Sequence, residues 1–246
     1  MFTKFFFYSI IWMVIIMPSW SIHLKIGKEL VKELGLDKDK FLFGSLLPDT
    51  DYDWKVNRNL AHYYGKLKFP RCPSEDMVDI DGFINDYKDY LYDDLIKGYY
   101  AHLLADHYYN EYIYYNKWVQ RDGKLVGVKT VKGDIIDVED HYKLAARPKH
   151  RDLELYGKRL FLKEKIVFPE DEMKIIKCID LLKDNFINKD NVIKRIKYLH
   201  SDYIDYFLKI REGEKGSKYK LFTEDELDNL LNGCIEYILQ KLKELD

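Results

Sequence analysis

The amino-acid sequence predicts an all-α chain, a multi-helix bundle with one small inserted β-hairpin or meander. Three observations carry that expectation. Apolar residues recur at helical spacing in several separate stretches, Ile80, Phe83, Ile84, Tyr87 and Leu91 among them. Gly35, Pro48 and Pro169 fall between such stretches as stops. The segment 117–138 breaks the helical period: Asp122-Gly123 and Lys132-Gly133-Asp134 turn signals flank short Val- and Ile-rich runs such as Lys124-Leu125-Val126-Gly127-Val128.

In chain order, Leu24, Ile26, Leu30, Val31 and Leu34 set a first helix over 24–34, stopped by Gly35. Residues 40–47 form a second, short helix that ends before Pro48, because proline disfavours helical geometry in the residue preceding it. Residues 50–78 read as loop, with Pro70 and Pro73 flanking Cys72. Helices follow over 80–92 and from about 94 to 117, then the β insertion. Pro148 opens the next helix, a position where its missing N–H costs nothing. Three amphipathic helices close the chain over 170–184, 190–211 and 224–244, with Gly213 and Gly216 between the last two. Thr223 and Glu226 have the spacing of a capping box at the start of the last one.

Length and charge bound the function. A chain of 246 residues can bury a substantial core. With 40 basic against 42 acidic side chains, nothing marks nucleic acid as an obligatory partner. Cys72, Cys178 and Cys234 are odd in number and form no CxxC pair, which argues against a disulfide framework and for a reducing compartment. Residues 1–16 are set apart as a hydrophobic N-terminal segment, and 17–246 as a single helical domain. The run Phe5–Met17 has the length of a signal-peptide core, yet its cleavage site is poor. The favoured expectation is translation from Met17 and a cytoplasmic protein; export or membrane association through 5–17 is the alternative.

Chemistry concentrates in a few positions. His102 and Asp106 stand one helical turn apart, so both side chains lie on one face and can close on one metal ion. His150 and Glu154 repeat the spacing, with Asp152 as a rival to Glu154. His23 heads the first helix, Asp49 follows the proline that stops the second, and His62 lies in Ala61-His62-Tyr63. Asp51 and Asp53 are close enough to Asp49 to replace it. These nitrogen and oxygen donors, with no cysteine among them, suffice for two or three zinc ions and suit hydrolytic zinc better than structural zinc.

Those residues resemble the zinc-dependent phospholipases C of bacteria, whose all-helical fold is shared with the P1-type nucleases. His23, the Gly44-Ser45-Leu46-Leu47-Pro48-Asp49 segment, His62, the His102-x-x-x-Asp106 helix and the His150-x-x-x-Glu154 helix occur in the family order over 17–160. The resemblance implies up to three zinc ions, with Asp106 bridging two. Secreted members start, after processing, at a tryptophan that binds zinc about ten residues or more before the histidine; Trp20 is only three residues ahead of His23. The family also places a histidine between the two paired helices. His141 is the better candidate by position, and His107 reads as a surface residue.

The expectation is therefore a zinc-dependent hydrolase of phosphate esters, with Asp49 or Asp51 orienting the attacking water or taking its proton. Phospholipid head groups come first among substrates by resemblance, with membrane contact at most peripheral. A P1-type nuclease and a non-catalytic helical protein with structural metal are the alternatives. Oligomeric state and the role of the last third stay open.

Overall fold

In the computed structural model, which describes residues 19–50, 58–138, 142–164, 166–182, 189–205 and 218–245, helices carry most of the chain. α1 (Trp20–Leu34) buries Ser21, Ile22, His23, Leu24, Ile26 and Gly27, so its first two turns are enclosed on nearly every side. It ends where Gly35, at φ 66°, turns left-handed and returns its N–H to the Val31 carbonyl. α2 (Lys38–Gly44) starts at Asp37, whose carboxylate accepts from the Asp39 and Lys40 amides. A 3₁₀ turn, Leu47–Thr50, follows with Pro48 inside it, so the proline shapes the turn rather than the end of the helix. α3 (Arg58–Ala61) is a single turn.

The expected loop over 50–78 contains a hairpin. β1 (Leu67–Phe69) pairs antiparallel with β2 (Cys72–Met77), and Phe69 faces Cys72 across the Pro70-Arg71 turn. Pro73, Glu75 and Asp76 destroy the alternation that would betray a strand. Tertiary packing supplies what the pattern lacks: the Phe69 ring lies 5.1 Å from Tyr114 and stacks at 5.6 Å on His107. His107 is therefore half-buried against an aromatic ring rather than a solvated surface group.

α4 (Ile80–Tyr87) is shorter than the expected 80–92. α5 (Asp94–Asn116) is capped by Asp93 and buries residues on every face, Leu95, Tyr99, His102, Leu103, Leu104, Asp106, Tyr109 and Ile113 included. A helix that is apolar all round belongs in the middle of a fold. β3 (Trp118–Arg121), β4 (Lys124–Lys129) and β5 (Ile135–Asp137) form the expected antiparallel meander. Asp122 at φ 51° and Gly123 at φ 73° make the two-residue left-handed turn that suits strand twist.

α6 (Tyr142–Lys163) holds Pro148 inside, where the sequence reading has it opening the helix. Packing outweighs the lost hydrogen bond, since Leu153, Tyr156 and Leu160 are buried and Gly157 brings α6 against Ser19. α7 (Glu172–Ile176) and a 3₁₀ turn (Ile179–Leu181) replace one continuous helix. α8 (Lys189–Tyr198) runs into a π turn, Leu199–Tyr203. Residues 206–211 of the expected 190–211 helix, with Gly213 and Gly216, lie outside the described residues. α9 (Glu224–Lys243) has both capping-box bonds between Thr223 and Glu226. No helix among the described residues is long and apolar enough to cross a membrane.

One crossing governs the site. A Cβ on Gly98 would fall 2.1 Å from the Phe41 carbonyl oxygen, and one on Gly44 would fall 2.1 Å from that of Leu95. Two glycines thus let the backbones of α2 and α5 touch, which sets the Ser45 carbonyl beside His102.

Candidate metal centre

Five of the singled-out residues meet at the middle of α5. His23 comes from the enclosed start of α1, Asp49 from the 3₁₀ turn, His62 from the residue after α3, and His102 and Asp106 from α5. All five are buried, Asp49 the least so at 9 % exposure. The His23 and His102 rings stack at 4.0 Å, with planes 9° apart. Asp106 points its two oxygens at different partners. Oδ1 lies 3.5 Å from His23 Nε2; Oδ2 lies 3.5 Å from His102 Nε2 and 3.8 Å from His62 Nε2. Asp49 Oδ1 is 3.2 Å from His62 Nε2. Two sets of ligand-type atoms, His23/Asp49/His102 and His62/His102/Asp106, each lie within 4.8 Å of one another.

The hydrogen-bond pattern decides what the inward-facing atoms offer. His102 Nδ1 donates to the Ser45 carbonyl at 2.8 Å, and His62 Nδ1 donates to the Arg58 carbonyl at 3.1 Å. With the His102 ring neutral, that leaves its Nε2 as a lone pair aimed inward, the arrangement of metal-binding imidazoles, while His62 Nε2 meets Asp49 Oδ1 at 3.2 Å. His23 Nε2, His102 Nε2, Asp49 Oδ2 and Asp106 Oδ1 are buried without a hydrogen-bond partner among the described residues. Acceptors facing acceptors need a cation or a proton between them. Three imidazole nitrogens and two carboxylates, with no sulfur, fit a divalent ion of the zinc type.

The electrostatics divide the three rings: His23 and His62 are held neutral, while His102 is drawn toward its protonated form by the two carboxylates. Burial, then the neighbouring His102, pushes His23 down to about 3, so its ring is neutral. Burial followed by the Arg58 guanidinium lowers His62. Burial drives the Asp49 carboxyl up, but His102, the His62 bond and Arg58 outweigh it and hold it ionised. Asp106 behaves alike, its burial overcome first by His102. His102 rises: burial lowers it, but Asp106, Asp49 and the hydrogen bonds to Asp106 and the Ser45 carbonyl together outweigh that.

The other candidates among the described residues are in neither ligand set. His150 is buried on α6 and lowered to about 3 by burial, then by Lys149 and Arg58. Arg58 lies 3.5 Å from Asp49, so His150 borders the cluster electrostatically but belongs to neither ligand set. Glu154, half-buried, acts on the Tyr203 hydroxyl. Asp152, its rival, is a structural acceptor that takes the Lys220 and Leu221 amides at 2.7 and 2.6 Å and anchors the approach to α9. Asp51, Asp53 and His141 lie outside the described residues.

Sequence reasoning missed Tyr64, Asn110 and Lys149. Tyr63 at φ 55° turns the chain so that the Tyr64 ring stacks on His62 at 5.5 Å. Asn110 continues the stripe of His102 and Asp106 at four-residue spacing. Lys149 is almost completely buried, and desolvation draws it down to about 8. Its signal was position: Lys149 shares a helical face with the apolar Leu153 and Tyr156. Set against family models, curated proteins and solved structures, the chain matches none.

Proposed function

We propose that the protein is a zinc-dependent hydrolase of phosphate esters, with phospholipid-type diesters first among substrates by the resemblance of its motifs. The observation that supports this is the inward-facing set of His23, Asp49, His62, His102 and Asp106, in which unpartnered atoms on His23, Asp49, His102 and Asp106 call for a cation. Asp106 belongs to the second ligand set and turns its other oxygen toward His23 of the first, which supports the bridging role the resemblance implies. Bound divalent ions would supply Lewis acidity and counter-charge for a phosphoryl group.

The chain's own residues do the rest. The backbone carbonyls of Ser45 and Arg58 fix the histidine tautomers. Arg58, about one-quarter exposed and 3.5 Å from Asp49, holds that carboxylate ionised and offers a cation to an incoming phosphate. Asp49, at the most exposed edge of the cluster, is the group to orient a water or accept its proton.

The test is hydrolysis of bis-p-nitrophenyl phosphate by protein purified without chelator. Turnover should vanish with EDTA and return with zinc. His102→Ala should abolish it while the helical far-UV signal persists. One observation favours a structural metal instead: His62, His102 and Asp106 are fully enclosed, and a substrate must reach that cluster. Tightly held zinc with no turnover of lipid, nucleotide or synthetic phosphate esters would remove the enzyme and leave the structural metal.

A further inference from the structure

Lys149, a residue no ligand set includes, reaches the cluster through two neutral side chains. Its Nζ donates to Asn110 Oδ1 at 3.2 Å, in a site where the lysine is buried. Asn110 Nδ2 donates to the Tyr64 hydroxyl at 3.3 Å, and that hydroxyl donates to Asp106 Oδ2 at 3.5 Å. The order of donors is dictated by chemistry. An ammonium has protons and no acceptor, so the Asn110 atom facing it must be the carbonyl oxygen. The amide NH₂ is then turned to Tyr64. A phenol that accepts at its oxygen has one proton to give, and that proton is left for Asp106.

We propose that Lys149 is a positioning residue. It orients Asn110, Asn110 orients Tyr64, and Tyr64 thereby delivers a fixed hydrogen bond to Asp106, the carboxylate of the His62/His102 ligand set. The proposal rests on the metal reading of the cluster. Outer hydrogen-bond partners of this kind hold a ligating carboxylate in its binding geometry, and losing one typically costs 10–100-fold in metal affinity. The ring stack of Tyr64 on His62 keeps the phenol beside the site.

The sign of the effect separates this arrangement from a simple charge effect. Removing a buried cation near a divalent-ion site, or adding an anion there, should by Coulomb's law tighten metal binding. The orienting chain requires the reverse. Lys149→Met frees Asn110 to flip. Asn110→Asp keeps a partner for Lys149 but presents an acceptor to Tyr64, which turns the phenolic proton away from Asp106. Tyr64→Phe removes the last link.

The experiment measures zinc affinity at pH 7 by competition with a chelating dye, and the visible spectrum after cobalt substitution. Each single variant should bind zinc about 10–100-fold more weakly. The double variant Lys149→Met/Tyr64→Phe should be no weaker than Tyr64→Phe alone, because both act on one bond. Asn110→Asp should shift the cobalt bands while folding normally, which keeps the test decisive if Lys149→Met fails to fold. Unchanged or tighter zinc binding in Asn110→Asp, or additive losses in the double variant, would overturn the orienting role and leave the metal site standing. Wild-type protein that takes up no zinc would overturn both.

Discussion

Asp106→Asn gives the sharpest test of the metal centre, because its effect should depend on whether zinc is present. The change preserves shape and removes one negative charge from the carboxylate that faces His23, His62 and His102. Free zinc at 1,000 times its dissociation constant stabilises the wild type by about 4.1 kcal/mol. In a chain of this size that raises the midpoint by about 8–16 °C. A hundredfold loss of affinity would cut the gain to about 1.4 kcal/mol, or about 3–6 °C. Without zinc the same change should cost little. At pH 8 the three imidazoles are neutral or can release a proton, so no unpaired charge is created and only hydrogen-bond strength of about 1 kcal/mol is at stake. Thermal melts of both proteins in EDTA and in zinc, with elemental analysis of the folded material, read all four quantities. Equal zinc-induced shifts in wild type and Asp106→Asn would refute the role of Asp106, and a wild-type midpoint indifferent to zinc would refute the centre.

Gly98→Ala should destabilise by about 1–3 kcal/mol and lower zinc content, because the added Cβ would push α2 from α5 and draw the Ser45 carbonyl off His102; denaturant midpoints with zinc analysis check both. In EDTA, acid should weaken the fold from pH 6.5 toward 4. His23 and His150 titrate near 3 when folded and near 6.5 when unfolded, so the unfolded chain binds more protons in that window and stability rises with pH. Each contributes up to about 1.4 kcal/mol per pH unit; His62 adds in the same direction, and the raised His102 acts only above pH 6.5, where its stabilisation is lost as pH rises. Urea midpoints flat between pH 6.5 and 4 would contradict the buried neutral rings. Thr223→Ala should cost about 1 kcal/mol through the lost cap of α9 and leave zinc binding untouched, as calorimetry and dye competition would report.

Much of the architecture is legible from local chemistry. The periods that place α1 and α4, the Asp122-Gly123 turn and the Thr223/Glu226 capping box depend on residues within a turn or two of one another, so sequence alone determines them. The spacing of His102 and Asp106 likewise places two donors on one face before any fold is known. Other features needed contacts between residues far apart in the chain. The β1–β2 hairpin has no alternation of its own and exists because Phe69 and Cys72 find a buried place beside α5 and its flanking strand. Pro148 sits within α6 because packing of that helix outweighs one missing hydrogen bond. His150 and Glu154 share the spacing of His102 and Asp106 but are in neither set of ligand-type atoms. Periodicity tells which residues share a helix face and is silent on what that face meets. The same limit hid Lys149: a lysine reads as solvent-exposed until tertiary structure encloses it and leaves the oxygen of Asn110 as its hydrogen-bond acceptor.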